Sequence, residues 1–341
     1  MNSVARPGLL ITGALIASVG SDAAFAQTGA DFYKGKTVTY IASTAPGGGY
    51  DKYGRLVAEF MQKHLPGSTF VVKNVPGAGH LIGANTIYAS KPDGLTIGIF
   101  NTGLIYNQII KKEGVQFDLA KMSWVGKAAS GPHVMVIAAQ SPIKTFKDLQ
   151  AQQEPVKFAT GGVGSDVYAE VSMISKVFKL PINLLTGYNG GEELLAMRRG
   201  EVTGSMGSRS SLTQFVRNGY GRLIIQIGGD DQDVPQLSSM VTDSAGQALV
   251  ALIRSQTEIG RLTAGPPGIP EDRLNALRDS YRKALEDAEL LAKAQKLEIP
   301  IDPAYGDTVL KMVKEALDQP PETITLIKEA LEKPRDKPGS P

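Results

Sequence analysis

The sequence predicts an α/β protein built from two doubly wound units. Three observations predict it. Short β-branched runs alternate with stretches of helical periodicity, the pattern stops and starts afresh after Trp124, and 341 residues exceed what one hydrophobic core usually serves.

The elements follow in order. Residues 37–42 (TVTYIA) read as a strand that ends at Ala45-Pro46-Gly47-Gly48-Gly49. Tyr53, Leu56, Val57, Phe60 and Met61 then repeat at helical spacing. Residues 70–75 (FVVKNV) form a second strand before Pro76-Gly77-Ala78-Gly79, and Leu81, Ile82, Ala84, Ile87 and Tyr88 mark a second helix. Pro92-Asp93-Gly94 is a turn, and 95–100 (LTIGIF) is a third strand. This βαβαβ order is that of a parallel sheet with helices on both faces. The second unit holds strands at 134–138, 156–159, 182–185, 202–206 and 223–227. Its helices are at 146–153, after Ser165, and at 192–199. From Glu271 onward the chain reads as mostly helical, and the Pro- and Lys-rich segment 333–341 reads as a disordered tail.

The first 26 residues read as a secretory signal peptide. Arg6 supplies the positive start, 9–19 an apolar stretch too short to span a bilayer, and Ala24-Phe25-Ala26 a small-x-small cleavage site. Three glycines, at 8, 13 and 20, argue against a buried helix there, since each costs about 1 kcal/mol in a helix interior. A periplasmic location follows as the expectation. The chain has no Cys, which rules out thiol chemistry and Cys-ligated metals, and a core of this size needs no disulfide. A net charge of +2 with no long basic run argues against a nucleic-acid partner.

Three Gly-rich loops, 47–51, 77–79 and 161–165, each lie between a predicted strand and a predicted helix. One alone reads as a tight turn. Three together point to a ligand site, because ligands of open α/β sheets bind beyond the carboxyl ends of the strands. Helix starts there offer unpaired N–H groups and partial positive charge to an anion, and glycine lets a ligand approach the backbone. Two such loops facing each other from two domains would clamp a carboxylate without Lys or Arg.

Other chemistries fit less well. Gly77-Ala78-Gly79-His80-Leu81-Ile82-Gly83 misses the dinucleotide fingerprint by one residue, and no G-K-[ST] follows any loop. The three His, at 64, 80 and 133, have no metal spacing. His64 reads as structural and His80 as a polar wall. Ser141-Pro142-Ile143-Lys144 matches S-x-x-K without its companion motifs, and Asp230-Asp231-x-Asp233 lacks the glycine and distal Glu of a calcium loop. Neither a catalytic residue nor a cofactor nor a metal is expected, and the chain is not read as an enzyme.

Ala45-Pro46-Gly47-Gly48-Gly49-Tyr50-Asp51 with Arg55 one turn on resembles the first ligand loop of the tripartite tricarboxylate transporter substrate-binding proteins, the Bug family. Asn74-Val75-Pro76-Gly77-Ala78-Gly79, Gly83-Ala84-Asn85 and Pro92-Asp93-Gly94-Leu95-Thr96-Ile97-Gly98 resemble its next signatures in order. So do 141–149, Gly162-Val163-Gly164-Ser165, Tyr188-Asn189-Gly190 and Gly265-Pro266-Pro267-Gly268-Ile269-Pro270. The resemblance implies a type II periplasmic-binding fold: two α/β domains joined by crossing hinge strands, closing on a small organic carboxylate and delivering it to membrane transporter subunits. A monomer is expected. The implied domains are 27–128 with 229–332, and 129–228. The chain would cross near 125–132, return near 225–229, and pack its C-terminal segment back on the first domain.

Carried over residue by residue, the resemblance implies ligand contacts from Pro46, Gly47, Gly48, Gly49 and Tyr50, with Asp51 capping backbone N–H groups. Gly77, Ala78, Asn101 and Thr102 complete the first domain's share. Thr160, Gly164, Ser165, Tyr168, Tyr188, Gly190, Ser208 and Arg209 would come from the second. Tyr168 stands where the family usually carries His, and the family's Pro-Thr-Val-x-Glu segment is missing, with Asp233-Val234-Pro235-Gln236 in its region. Tyr50, Tyr168 and Tyr188 in one cleft would suit an aromatic carboxylate, and an inward Arg209 would pair with a second carboxylate. Packing of Tyr168 in the core and a solvated Arg209 are the plainer alternatives. An exported binding module that signals to a receptor would have the same cleft, whereas an exported enzyme would need a nucleophile with a positioned base.

Overall fold

The computed structural model describes residues 29–331. The signal-peptide reading at 1–26 and the tail at 333–341 lie outside them. Helix α1 (Gly29–Phe32) precedes β1 (Thr37–Ala42), α2 (Gly49–Lys63), β2 (Thr69–Asn74), α3 (Leu81–Tyr88), β3 (Thr96–Phe100), α4 (Gly103–Ile109) and β4 (Ser123–Lys127). The chain then enters a second sheet with β5 (His133–Ala138), α5 (Phe146–Gln150), β6 (Val156–Thr160), α6 (Asp166–Phe178), β7 (Ile182–Thr186), α7 (Glu192–Arg198), β8 (Gly204–Ser208), α8 (Arg209–Arg217) and β9 (Gly221–Ile227). After α9 (Ser244–Thr257) come β10 (Leu262–Gly265), α10 (Glu271–Glu286), α11 (Ala288–Lys296), β11 (Ala304–Tyr305), α12 (Gly306–Leu317) and α13 (Pro321–Leu331).

Among the described residues, the first sheet has the order β11-β4-β10-β3-β1-β2 and the second β7-β6-β8-β5-β9. Both are mixed. The β1, β2 and β3 strands are parallel, as the βαβαβ pattern requires, but β4, β10 and β11 join antiparallel. The second sheet pairs β6 parallel with β7 and β8, and β5 antiparallel with β8 and β9. Each sheet carries helices on both faces. Buried Leu56, Val57, Phe60 and Met61 of α2 pack with Leu277 and Tyr281 of α10 on one face of the first sheet, while Ala84, Leu104 and Val309 pack on the other. The second sheet is covered by Val171 and Ile174 of α6 on one side, and by Leu212 and Phe215 of α8 on the other. Two sheet-centred lobes result.

The connections differ from the expected course. The first crossing runs from β4 to β5, within the expected 125–132. The return is not at 225–229. After β9 the chain stays with the second lobe through α9, whose Leu249, Leu252 and Ile253 sit in its core, and rejoins the first sheet only at β10. The two connections lie side by side: Gly131 N–H donates to Thr257 O at 3.1 Å and Ala128 N–H to Arg261 O at 3.2 Å. The C-terminal segment also divides. Helix α12 packs on the first lobe, but Ile327 and Leu331 of α13 are buried against the second, so α13 crosses once more. An apolar stripe records that a helix has a core partner, not which of two cores takes it.

Candidate functional site

The lobes meet along the loops that follow their strands, and glycines make the approach possible. A Cβ on Gly48 would lie 2.9 Å from Gly190 Cα, and one on Gly79 would lie 2.3 Å from Gly164 N. Polar contacts cross the same seam. Asp166 N–H donates to Asn101 Oδ1 (3.1 Å), Asn107 Nδ2 to Gly164 O (2.8 Å) and Tyr50 Oη to Asp166 Oδ2 (3.1 Å). Arg217 of α8 pairs with Glu298 across the lobes. Between them lies a cavity of about 120 Å³.

Of the residues anticipated from the sequence, Gly48, Gly49, Tyr50, Asn101, Thr160, Ser165, Tyr188, Gly190 and Ser208 line this cavity. Others do not. Pro46 and Gly47 stand at the rim, against the backbone of Gly190. Gly77 and Ala78 belong to a turn that abuts the 162–164 loop; Gly164 packs on Ala78 O, so these residues seal the seam instead of facing the cavity. Thr102 lines a smaller hollow behind it, next to the crossings. Asp51 is buried in scaffold: its carboxylate accepts from Gly47 N–H (2.9 Å) and Asn74 Nδ2 (2.8 Å) and pairs with Arg55 (2.9 Å). Burial opposes its charge, but these donors outweigh that and lower its pKa. Tyr168 packs against the second lobe's core, and Arg209 turns away to pair with Asp231 at 2.5 Å, so neither reaches the cavity. The three-tyrosine arrangement is therefore not formed; Tyr50 and Tyr188 remain.

The helix starts also differ from expectation. Helix α2 begins behind Gly48, which offers no side-chain cap, so the N–H groups of Gly49 and Tyr50 have no intrahelical acceptor. At α6 the first-turn donors are already spent. Asp166 N–H goes to Asn101, Val167 N–H to Asp166 Oδ1 (2.7 Å) and Tyr168 N–H to Ser165 Oγ (3.2 Å). Two bare opposed loops do not form the clamp. Ser208 at the start of α8 has no side-chain capping bond either, and Ser208, Ser211 and Leu212 line the cavity, so the second lobe presents α8.

Arg261 is the residue that sequence reasoning missed. It is 6% exposed, lines the cavity, and donates from Nη2 to Ser208 Oγ at 2.8 Å. Its guanidinium lies 4.2 Å from the ring centroid of Tyr50 and 4.9 Å from that of Tyr53. A Cβ on Gly49 would stand 2.9 Å from that Nη2, so the cation lies beside the open start of α2. Among the described residues no carboxylate pairs with Arg261. Its backbone is left-handed (φ 59°), the turn by which the chain enters β10. No local motif marks this position, since it becomes a cavity residue only where the second crossing passes the cleft.

The opposite wall is acidic. Asp166, 6% exposed, lines the cavity together with His133, His80 and the half-buried Glu193. His133 Nδ1 and Glu170 Oε2 are 2.6 Å apart in full burial. Burial works against the charge on Asp166, but the His133 charge and its hydrogen bonds prevail and lower its pKa. Burial also raises the Glu170 pKa, and raises that of Glu193. His80, in the left-handed region and buried, is shifted down by desolvation. Asp166 had a signal in the sequence, an acid in the first turn after Gly-Val-Gly-Ser.

Residues 54–328 match the profile described as tripartite tricarboxylate transporter family receptor. A Cupriavidus necator protein, known as the UPF0065 protein in the gbd 5' region, is 25% identical over 287 residues, covering 83% of this chain and 84% of its own. The periplasmic binding protein BugD superposes with a TM-score of 0.74 at 19% identity, covering 87% of this chain and 98% of its own. MatC from Rhodopseudomonas palustris with bound malate gives 0.71 at 20% identity, covering 87% and 99%. At these identities the structural likeness speaks for the fold, which is that of periplasmic binding proteins.

Proposed function

Since the chain belongs to the tripartite tricarboxylate transporter receptor family, a family of binding proteins and not of enzymes, we propose that it captures a small organic carboxylate in the cleft between its lobes and hands it to a membrane transporter. The observation that carries the ligand class is Arg261: a buried guanidinium with no carboxylate partner among the described residues, set beside the uncapped start of α2. A guanidinium offers a planar fork that matches two carboxylate oxygens, and the helix start adds N–H donors and partial positive charge. The Ser208 and Ser211 hydroxyls complete this corner. Malate bound by the structurally similar MatC agrees with such a ligand.

Capture and release then follow from the hinge. Arg261 sits on the second crossing, reaches Ser208 of the second lobe and stacks on Tyr50 of the first. Closing the lobes assembles the corner, and opening dismantles it. A periplasmic location supports delivery to a membrane partner; among the described residues no helix is long and apolar enough to cross a membrane. Calorimetric titration of protein stripped of ligand by unfolding and refolding tests the reading. Binding of some short carboxylic acid, with no binding of its amide, is expected. Failure of every carboxylate in a broad panel to bind overturns it.

A further inference from the structure

Behind the cavity wall, a buried acid and its histidine are enclosed by both lobes at once. Glu170 of α6 and His133 at the start of β5 belong to the second lobe, and Glu170 Oε2 lies 2.6 Å from His133 Nδ1. Glu170 is fully buried, and its Oε1 has no hydrogen-bond partner. Part of its cover comes from the first lobe. Tyr106 of α4 is also fully buried and belongs to the second lobe's core together with Ala169 and Met173 of α6. The Tyr106 hydroxyl is unpartnered too; burial raises its pKa, and the Glu170 and Asp166 charges add to this. Asn107 Nδ2, next along α4, donates to Gly164 O at 2.8 Å, and a Cβ on Gly103 would lie 2.3 Å from Asp166 N. Helix α4 thus lies directly on the start of α6, and the Glu170 carboxylate is dry while the two helices stay together.

Charge decides what this packing tolerates. With one proton between them, His133 and Glu170 carry no net charge. Without it, Glu170 is an ionised carboxylate held out of water with one oxygen unpaired, and Asp166, a second carboxylate, stands one turn away on α6. The groups that face the pair come from several elements. Asp166 favours the proton on His133 and Arg261 opposes it; burial alone would lower the His133 pKa, but Glu170 and Asp166 outweigh it and raise the value. Tyr50 and Tyr106 are neutral hydroxyls, and burial keeps His80 uncharged near neutral pH. When the helices separate and water reaches the pair, Glu170 can hold its charge without the proton, and His133 returns toward its ordinary value of about 6.5.

We propose that closing the lobes takes up a proton on the His133–Glu170 pair and that parting them gives it back, so that ligand capture is linked to pH. This rests on the hinge motion of the reading above and on no particular ligand. The sign follows from the direction of the shift. Between the ordinary value and the raised one, the closed form binds the proton and the open form does not. Capture is therefore tighter on the acid side of neutrality, and Kd rises as pH climbs, by up to about tenfold per pH unit for one proton. Release of the solute at a membrane partner would return the proton with it.

Calorimetry on the full mature protein tests the link. The probe is L-malate, or the tightest-binding acid of the panel above if malate does not bind; its carboxyl groups stay ionised above pH 7, so it exchanges no proton of its own. Titrations at pH 7.5 in Bis-Tris and in Tris, amine buffers that differ in ionisation enthalpy and do not compete for an anion site, are expected to give different binding enthalpies. The difference is expected to correspond to uptake of about half to one proton per ligand, and Glu170→Gln is expected to abolish it. Equal enthalpies in the two buffers overturn the proposal and leave the carboxylate reading standing. A panel in which nothing binds overturns that reading instead, and the link is then decided without ligand. Gly103→Ala drives a methyl group between α4 and α6. In nitrogen-15 histidine NMR of the ligand-free proteins, His133 is expected to titrate closer to 6.5 in this variant than in the parent, and identical titration in the two overturns the proposal.

Discussion

Replacing Arg261 by Gln removes the cation and keeps a polar, shorter side chain. Arg261 is 6% exposed, with its guanidinium bonded to Ser208 at 2.8 Å and stacked on Tyr50 and Tyr53. A bound carboxylate meeting it there would be desolvated as well. Truncating one partner of such a pair costs about 2–5 kcal/mol of binding, a loss between about thirtyfold and a few thousandfold in Kd. The same substitution forfeits cation–π contacts of about 1 kcal/mol each, so thermal unfolding must be followed alongside. Arg261→Gly separates the two effects. Its backbone is already left-handed at φ 59°, a conformation that costs a side-chain-bearing residue about 1–3 kcal/mol and suits glycine. That variant is expected to fold with little change in Tm and to bind as poorly as Arg261→Gln. Arg261→Lys, which keeps the charge and loses the fork, is expected to fall between. Arg209→Gln, at the outward pair with Asp231, serves as the control and is expected to match the parent protein. Calorimetric Kd values for Arg261→Gln within twofold of the parent would refute the reasoning.

Gly48→Ser adds a capping hydroxyl at the start of α2 and a Cβ only 2.9 Å from Gly190 Cα on the other lobe. It is expected to hold or raise the Tm of the unliganded protein, by up to about 1 kcal/mol of stability, while small-angle scattering shows the ligand-induced compaction reduced. Ser165→Ala is expected to cost about 1 kcal/mol of stability with a near-unchanged Kd, because the hydroxyl is spent on Tyr168 N–H and Gly162 O; a large loss of affinity would show that it serves the ligand instead. Stability is expected to fall as pH rises through neutrality. Burial opposes the charge on His133, but Glu170 outweighs it and raises the His133 pKa above its ordinary 6.5. The stabilisation is therefore complete below that value and lost as pH climbs through the raised folded-state pKa. Glu170 is shifted up too and acts in the same direction. Asp51 and Asp287 are shifted down, so their contribution is lost only in acid, well below this window. Melting curves from pH 6 to 9 should show the decline, and Glu170→Gln should flatten it.

Much of the fold was legible because it rests on local rules. β-Branched runs, glycine turns and helical apolar spacing located β1 to exact bounds and the other strands of both sheets within a residue or two, apart from β4, β10 and β11. Those three escaped notice because a short strand completing a sheet by antiparallel pairing has no sequence signature separate from its partners. The Gly47 to Asp51 and Gly161 to Ser165 loops were read as strand-to-helix turns for the same local reason, and the second of them lies within the matched profile over 54–328.

Which groups face the cavity was a different matter, since that depends on how two lobes and their connections are set against each other. Ser165 and Asp166 sit in a loop of the anticipated kind, yet their neighbours consume the N–H groups that the sequence made available. Arg209 and Arg261 are indistinguishable as isolated arginines. One is turned out to Asp231, and the other is carried into the cleft because the chain returns at 258–261 and not at 225–229. Secondary structure is set by near neighbours along the chain, so composition and spacing reveal it. Electrostatic partnership is set by distance in space, and only the packed lobes bring a guanidinium, a helix start and a carboxylate to the walls of one cavity.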